Sequence, residues 1–349
     1  MSVNLSIVIP TYNGLSLLRE NLPSVQKAAR RYRLETGCTT EVIVVNDGGH
    51  DDTHAVLPVE FPDVYLIELR RNGGFARACN AGFEVAQGPL VALLNNDTSI
   101  DEQYFIYQVL HFENPDVFAV TAKAFEGDNS IFATGGRYGQ FRRGFWSVYF
   151  NYDACTVPSR EWIEKRRLLS AYAIGGFTTY DRVKLEKLGG FNELLSPFHW
   201  EDVDLSYRGW KRGWEIHYEP RSIAYHRAST TINAHYKKEF VDEISFRNRL
   251  LFHWINLHSR GYLVWHLATL FTLIATRILA FDLHFYRSFI LALRCLPKAL
   301  RLRDLERKKA KRTDAEISAI LNRFYASAPI EIYYNQQEVI QKHPEFEGV

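Results

Sequence analysis

The sequence predicts an α/β fold: a mostly parallel sheet flanked by helices, with a C-terminal helical region appended. Three observations predict it. Short Val-, Ile- and Leu-rich runs recur without polar alternation, as strands buried on both faces do. Stretches with helical spacing separate them, which is the pattern of βαβ units. After about Lys237 the composition shifts to aromatic, Leu-rich and basic.

The elements follow in order. Leu5–Pro10 is an apolar strand closed by proline, and Leu15–Leu34 has helical spacing that stops near Gly37. Glu41–Val45 and Val64–Leu69 are the second and third strands. Gly74–Ala86 is a helix ending at Gly88, and Leu90–Leu94 and Val117–Ala124 are the fourth and fifth strands. Residues 126–170 are Gly- and aromatic-rich without a period and read as surface loops with an edge strand. Asp202–Arg212 reads as a helix stopped by Gly213, and Ser222–Tyr225 as a short strand.

At 349 residues the chain can bury a large core, and 46% hydrophobic against 23% charged residues makes it globular rather than disordered. The net charge of +2 hides an uneven distribution: Arg294 to Arg312 holds nine Lys/Arg against Asp304 and Glu306. That run lacks a nucleic-acid-binding motif, and the acidic clusters elsewhere would repel phosphate, so a nucleic-acid partner is not expected. Cys38, Cys79, Cys155 and Cys295 show no CxxC or zinc spacing and read as reduced cytoplasmic thiols. The N-terminus lacks a basic region and a long apolar core, so it reads as a strand rather than a signal peptide.

Carboxylates at strand ends carry the functional reading. Asp47 follows the second strand and precedes Gly48-Gly49. It serves either an Asp-Gly turn or a nucleotide base or ribose. Asp51, Asp52 and Thr53 can cap the next helix. Asp97 ends the fourth strand in Asn95-Asn96-Asp97. It is either an Asx turn or a ligand of Mg²⁺ or Mn²⁺, which favour carboxylate and phosphate oxygens. Strand carboxyl ends are where open α/β sheets bind ligands. Asn72, Gly74, Arg77 and Asn80 open a Gly-rich helix, which is either an ordinary loop and helix start or a place where amides and a cation meet a phosphate. Glu201 and Asp202 follow Trp200 at a helix start. Helix dipoles favour acids there, yet one of them also fits a general base. Asp204 and Arg208 form an ordinary i, i+4 pair. His226 shares its surroundings with Arg227, Ser229 and Thr230, and either simply packs or contacts a metal or diphosphate.

Over about residues 4–230 these stretches together resemble the family 2 glycosyltransferases of the GT-A fold. Ser6–Asn13 looks like that family's opening strand and nucleotide-contacting turn, which brings in Pro10, Thr11, Tyr12 and Asn13. Asn46 to Thr53 is similar to the D-D-G-S-x-D-G-T motif, with Asp47 at the base-binding position. Asn95-Asn96-Asp97 lies where the metal-binding D-x-D motif falls, and Glu201-Asp202 matches the E-D pair whose second acid is the catalytic base. Asn46 and Asn95 depart from the pattern, leaving Asp97 as the sole acidic metal ligand. The N-N-D variant resembles a bacterial subgroup rich in rhamnosyl- and galactofuranosyltransferases. Gly175-Gly176 looks like that subgroup's acceptor-side glycine loop and Gly189-Gly190-Phe191 like the segment leading to the E-D pair, and His226 matches the family's C-terminal histidine.

The resemblance implies a GT-A domain over 1–235, with a nucleotide-sugar half at 1–125 and an acceptor half at 126–235, and a separate region at 236–349. It implies inverting transfer of a sugar such as rhamnose from a dTDP- or UDP-linked donor to a hydroxyl of a lipid-linked or oligosaccharide acceptor, in bacterial cell-surface polysaccharide synthesis. Asp202 would be the base with Glu201 beside it, and Mg²⁺ or Mn²⁺ would sit on Asp97 and His226. The 16-residue apolar stretch Gly261–Thr276, with His266 its only possible charge, falls short of the roughly 20 residues needed to span a bilayer. With the basic run after it, it fits either a peripheral anchor on the inner face of the cell membrane or a helical subdomain packed on the core or in a homodimer. Two other functions stay open: a sugar nucleotidyltransferase, disfavoured by Pro10-Thr11-Tyr12-Asn13-Gly14 where a Gly-rich phosphate loop would stand, and a non-catalytic nucleotide-sugar or glycan-binding module.

Overall fold

Strands β1 (Leu5–Thr11), β2 (Thr40–Asn46) and β4 (Leu90–Leu94) are almost wholly buried, as their unbroken apolar runs require. Alternate residues face opposite layers. Val8, Ile43, Val45 and Leu93 pack under helix α3 (Phe75–Val85), whereas Ile7, Ile9, Val44 and Leu94 pack under α1 (Leu15–Thr36). The computed structural model describes residues 3–126, 131–151, 160–166, 168–226, 236–331, 338 and 341. Cys38, Cys79 and Cys295 are free thiols; Cys155, Arg227, Ser229 and Thr230 lie outside the described residues.

The remaining strands are β3 (Val64–Glu68), β5 (Thr98–Ile100), β6 (Val117–Glu126), β7 (Ile131–Thr134), β8 (Arg137–Arg142), β9 (Phe145–Asn151), β10 (Phe177–Asp181) and β11 (Glu215–His226). The main sheet runs β3-β2-β1-β4-β10-β6-β11-β5, with β7 on β6. Strands β1, β2, β3, β4, β6 and β11 share one direction, while β5, β7 and β10 run against it. The sheet is thus mixed and mostly parallel. Two expectations change here. Strand β3 is the sheet's edge, so Tyr65 is 59% exposed rather than buried. Residues 137–151 form a two-stranded hairpin rather than surface loop, because Phe145 and Trp146 are buried against the helices behind it.

Shorter helices α2 (Thr53–Glu60), α4 (Tyr104–Val109), α5 (Arg160–Glu164) and α6 (Arg182–Leu188) fill the connections, and α7 (Glu201–Lys211) packs below the sheet. Four helices follow: α8 (Lys238–Asn256), α9 (Arg260–Leu279), α10 (Leu283–Lys309) and α11 (Asp314–Ser327). Helix α8 joins α10 in its own core, with Leu250, Leu251, Ile255, Phe285 and Ala292. Helix α11 returns to the sheet layer through Ile317 and Leu321. Asp314 ties these parts together, accepting from Tyr207 Oη at 2.7 Å and from the amides of His258 and Ser259.

Helix α9 extends beyond the apolar stretch read from sequence. At 20 residues and a mean hydropathy of 1.5 it is long and apolar enough to cross a membrane by length and composition. It buries only His266 and Leu270. The basic run is partly consumed by the fold: Arg303 donates to Trp254 O, and Arg312 to Trp214 O.

Candidate active site at the carboxyl ends of the strands

The sheet order decides what meets here. The carboxyl ends of β1 and β4 lie side by side, and β10, running the other way, brings its leading residues to the same rim. Asn95 N donates to Gly176 O at 3.0 Å. A Cβ on Gly176 would stand 2.6 Å from Asn95 Nδ2, so any larger residue would displace the Asn95 side chain from this rim. Strand β11 delivers His226 opposite Thr98 of β5, which places it beside Asp97 across 129 residues of chain.

A cleft of about 280 Å³ opens on this rim. Fourteen of the residues singled out from sequence line it: Pro10, Thr11, Tyr12, Asp47, Asn72, Gly74, Asn95, Asn96, Asp97, Gly175, Gly176, Glu201, Asp202 and His226. Four others stand behind it. Asn13, with φ +49°, accepts from His50 N at 2.6 Å and shapes the turn after β1. Arg77 lies along Gly73, and its charge lowers the pKa of Asp47. Asn80 exchanges hydrogen bonds with the backbone of Phe191. Trp200 packs on Phe252 and His253 of α8. Sequence reading missed Phe75, Ile174, Pro197, Phe198, His199 and Tyr236, which also line the cleft. The aromatic run before Glu201 was a visible sign of some of these, but nothing local linked Tyr236 to it.

Asp47 is already engaged by backbone. Its two oxygens accept from the amides of Gly73 and Gly74, each at 2.8 Å. Burial raises its carboxyl above the usual range, against those donors and Arg77. Gly48 (φ +69°) lets the chain turn away against Arg71. Asn46 donates to Glu68 at 3.0 Å and accepts from Gly49 N, so aspartate there would face a second carboxylate. Asp51 caps α1, accepting from Leu15 N, as well as holding Thr53 at the start of α2.

At the end of β4, Asn96 donates to Thr11 Oγ1 at 2.8 Å and binds the two strand ends together. Asp97 Oδ1 stands 3.2 Å from His226 Nε2. That contact lacks hydrogen-bond geometry, while Asn95 Nδ2 reaches the same nitrogen at 3.4 Å; Asp97 Oδ1 and Asn95 Oδ1 are both buried without a hydrogen-bond partner. Two orphaned oxygens beside an imidazole nitrogen fit a hard divalent cation. Among the described residues no group of three His, Cys, Asp or Glu forms, so such an ion would complete its shell with diphosphate and water oxygens.

The opposite wall carries Glu201 and Asp202 at the start of α7. Glu201 is buried with Oε2 unpartnered, and burial plus the neighbouring Asp202 push its carboxyl well above the usual range. Asp202 is also raised by burial but is held by the amides of Val203 and Gly175. Burial and the neighbouring charge thus oppose ionisation of Glu201 more strongly than that of Asp202, whose carboxylate has amide donors. Asp204 belongs to the scaffold: it pairs with Arg208 at 2.8 Å and accepts from Asn256 of α8, while Arg208 reaches the carbonyls of Leu188 and Gly190.

The loop before α7 is strained and clamped. His199 and Trp200 both have positive φ, +69° and +73°, which side-chain-bearing residues rarely adopt. Asn248 of α8 donates one amide to the carbonyls of Leu195, Phe198 and His199, and Arg247 donates to Ser196 O.

Residues 6–167 match the family described as Glycosyl transferase family 2. That match spans just under half of the chain. Among curated proteins, the chain is 26% identical over 238 residues to the poly-beta-1,6-N-acetyl-D-glucosamine synthase of Staphylococcus epidermidis, covering 67% of this chain and 52% of that protein. It is 33% identical over 209 residues to an uncharacterized glycosyltransferase of Rickettsia prowazekii, covering 58% and 57%. The chain thus spans about half the length of these relatives. Among solved structures it is similar to GalNAc-T7 with UDP, GalNAc and Mn2+ (TM-score 0.55, 16% identity, 73% of this chain and 48% of that one). It is also similar to S. aureus TarS 1-349 in complex with UDP-GlcNAc (TM-score 0.51, 16% identity, 96% and 97%). These likenesses show the fold: a GT-A-like mixed, mostly parallel sheet with C-terminal helices. The proteins named here do not support placement in the rhamnosyltransferase subgroup.

Proposed function

We propose that the chain is a nucleotide-sugar glycosyltransferase that moves a sugar, with inversion, onto a hydroxyl of a glycan acceptor. The observation that carries this reading is the cleft itself, which sets orphaned oxygens at Asn95 and Asp97 against a carboxylate pair, Glu201 and Asp202, on the facing wall.

The donor's nucleoside lies against Pro10, Thr11 and Tyr12, with Asp47 and the Gly73-Gly74 amides at its edge. Asp97 and His226, with Asn95, would hold Mg²⁺ or Mn²⁺ on the diphosphate, where it would supply Lewis-acid stabilisation of the departing phosphate. Asp202 takes the proton of the attacking hydroxyl, a step worth about 10²–10⁴-fold when the base is well placed. Its raised pKa makes it a stronger base than an exposed aspartate. Glu201, kept protonated by burial, leaves the wall with one negative charge rather than two. Acceptor sugar rings rest on the aromatic mouth made by Phe198 and Tyr236, whose rings meet at 5.1 Å with Tyr236 stacked on Phe240.

N-acetylglucosamine as the donor sugar draws on what the relatives' names describe, and rhamnose on the Asn95-Asn96-Asp97 resemblance. Polysaccharide synthesis draws on those same names, and an acceptor carried on a lipid on the apolar and basic character of the C-terminal helices. The test is a thermal-shift and donor-hydrolysis panel of UDP-GlcNAc, dTDP-rhamnose and GDP-mannose, with and without Mn²⁺. One donor should raise the melting temperature in a metal-dependent way, by roughly 2.7 kcal/mol of stabilisation at 100 times its Kd. Asp97→Ala should lose the metal dependence. No response to any donor in wild type would refute the transferase reading in favour of a glycan-binding module.

A further inference from the structure

Helix α9 is apolar all round, a pattern found where a helix is surrounded by apolar material. Its inner side is pinned to the domain: His266 Nδ1 donates to Gly144 O at 2.8 Å, its ring stacks on His253, and Tyr262 stacks on Phe141. Its outer side meets nothing among the described residues. Val264, Ala268, Phe271, Ala275 and Ile278 follow a three-four spacing and are all exposed. The stripe runs into the α9–α10 turn, where Leu279 is 81% and Phe281 87% exposed. Bare apolar surface of this extent marks a docking face.

The surrounding charge selects the occupant. From 258 to 300 the only acid is Asp282, which is paired with Arg277 at 2.8 Å, and Glu243 of α8 stands against His284 and Arg287. Arg260, Arg294 and Lys298 are exposed on the same two helices. Arg142 and Arg143, also exposed, sit in the hairpin turn whose Gly144 abuts Trp265 and Thr269. Trp265 is 59% exposed beside them, an aromatic of the kind that settles at headgroup level. A second copy of this chain would set like charges against like. An anionic leaflet attracts them.

We propose that the outer face of α9 and the α9–α10 turn dock on an anionic phospholipid surface, with α9 lying in the interface and the catalytic domain held against the membrane. Because the inner side of α9 is fastened to the domain, the helix lies on the bilayer rather than crossing it. In a cell this places the chain peripherally on the cytoplasmic leaflet. The proposal stands apart from the transfer reading, since lipid binding needs neither donor nor metal.

The test is co-sedimentation of the full chain with phosphatidylcholine vesicles, with and without phosphatidylglycerol, at low and high salt. The protein should pellet with phosphatidylglycerol vesicles, less so as salt screens the arginines. Phe271→Ser with Leu279→Ser, both at exposed positions, should weaken partitioning by about tenfold or more at an unchanged melting temperature. Arg142→Ala with Arg143→Ala should weaken it only on anionic vesicles. The proposal falls if wild type stays in the supernatant at low salt, or if the serine variant pellets as wild type does. It falls equally if wild type elutes as a dimer that the serine variant turns into a monomer while neither pellets.

Discussion

The two walls of the cleft are built in different ways. On the nucleotide side, Thr11, Asp47 and Asn96 stand at the ends of adjacent strands, and their partners are backbone amides or neighbouring strand ends. On the acceptor side, Glu201 and Asp202 start a helix whose approach loop holds two positive-φ residues, and what keeps it in place comes from far along the chain: Asn248, Arg247 and Asn256 of α8. The first wall is fixed by sheet register, which any slip would destroy wholesale. The second is fixed by a few side-chain clamps, so single substitutions outside the cleft can disturb it.

The largest expected effect lies on the acceptor wall. Asp202→Asn should cut transfer by about 10²-fold or more while the donor-induced thermal shift persists. If donor binding disappears with the activity, the two walls are one structural unit and the contrast fails.

Next comes Asn248→Ala, which touches no substrate. It leaves carbonyls of residues 195–199 without their shared donor, at a cost of about 1–3 kcal/mol for each one left unpaired in the interior. The melting temperature should fall and kcat should drop, with the donor KM unchanged. Steady-state kinetics showing a raised donor KM instead would place the clamp on the nucleotide side.

The smallest effect concerns pH. Glu201 has a folded pKa raised well above 4.5, so the folded state holds its proton where the unfolded chain has released it. Stability is therefore undiminished below about pH 4.5 and declines as pH rises toward the folded pKa. Glu201→Gln removes that decline, so its melting temperature should exceed wild type at pH 8 and converge with it near pH 4. Asp314, lowered chiefly by Lys211 against the opposing effect of burial, should act in reverse: its contribution is present above pH 3.8 and lost in acid. Melting curves across pH for E201Q would refute the protonated-Glu201 assignment if the gain were the same at both ends.

The legible part of the site was the part made by local sequence. Each of the motifs ending β1, β2 and β4 announced its residue by an apolar run followed by a turn, and all three reached the cleft. Asn80 and Trp200 were also candidates in sequence, yet Asn80 fastens Phe191 and Trp200 packs on α8. Their motifs fixed position along the chain but not the direction in which the side chain points. Strand β10 escaped notice because two glycines and a run of threonine broke the apolar pattern at Gly175 to Thr179.

By itself the sequence determined the α/β layers and the acids at strand ends, because burial on two faces demands unbroken apolar runs and turns demand Asp, Asn and Gly. Tertiary structure alone decided that His226 meets Asp97, that Asp204 is scaffold while Asp202 faces the cleft, and that Tyr236 joins the cleft lining. It also decided that α9 keeps one side bare. Those outcomes depend on strand order and on which face of a helix is covered, and both are set by contacts between residues far apart in the chain, which no local pattern encodes.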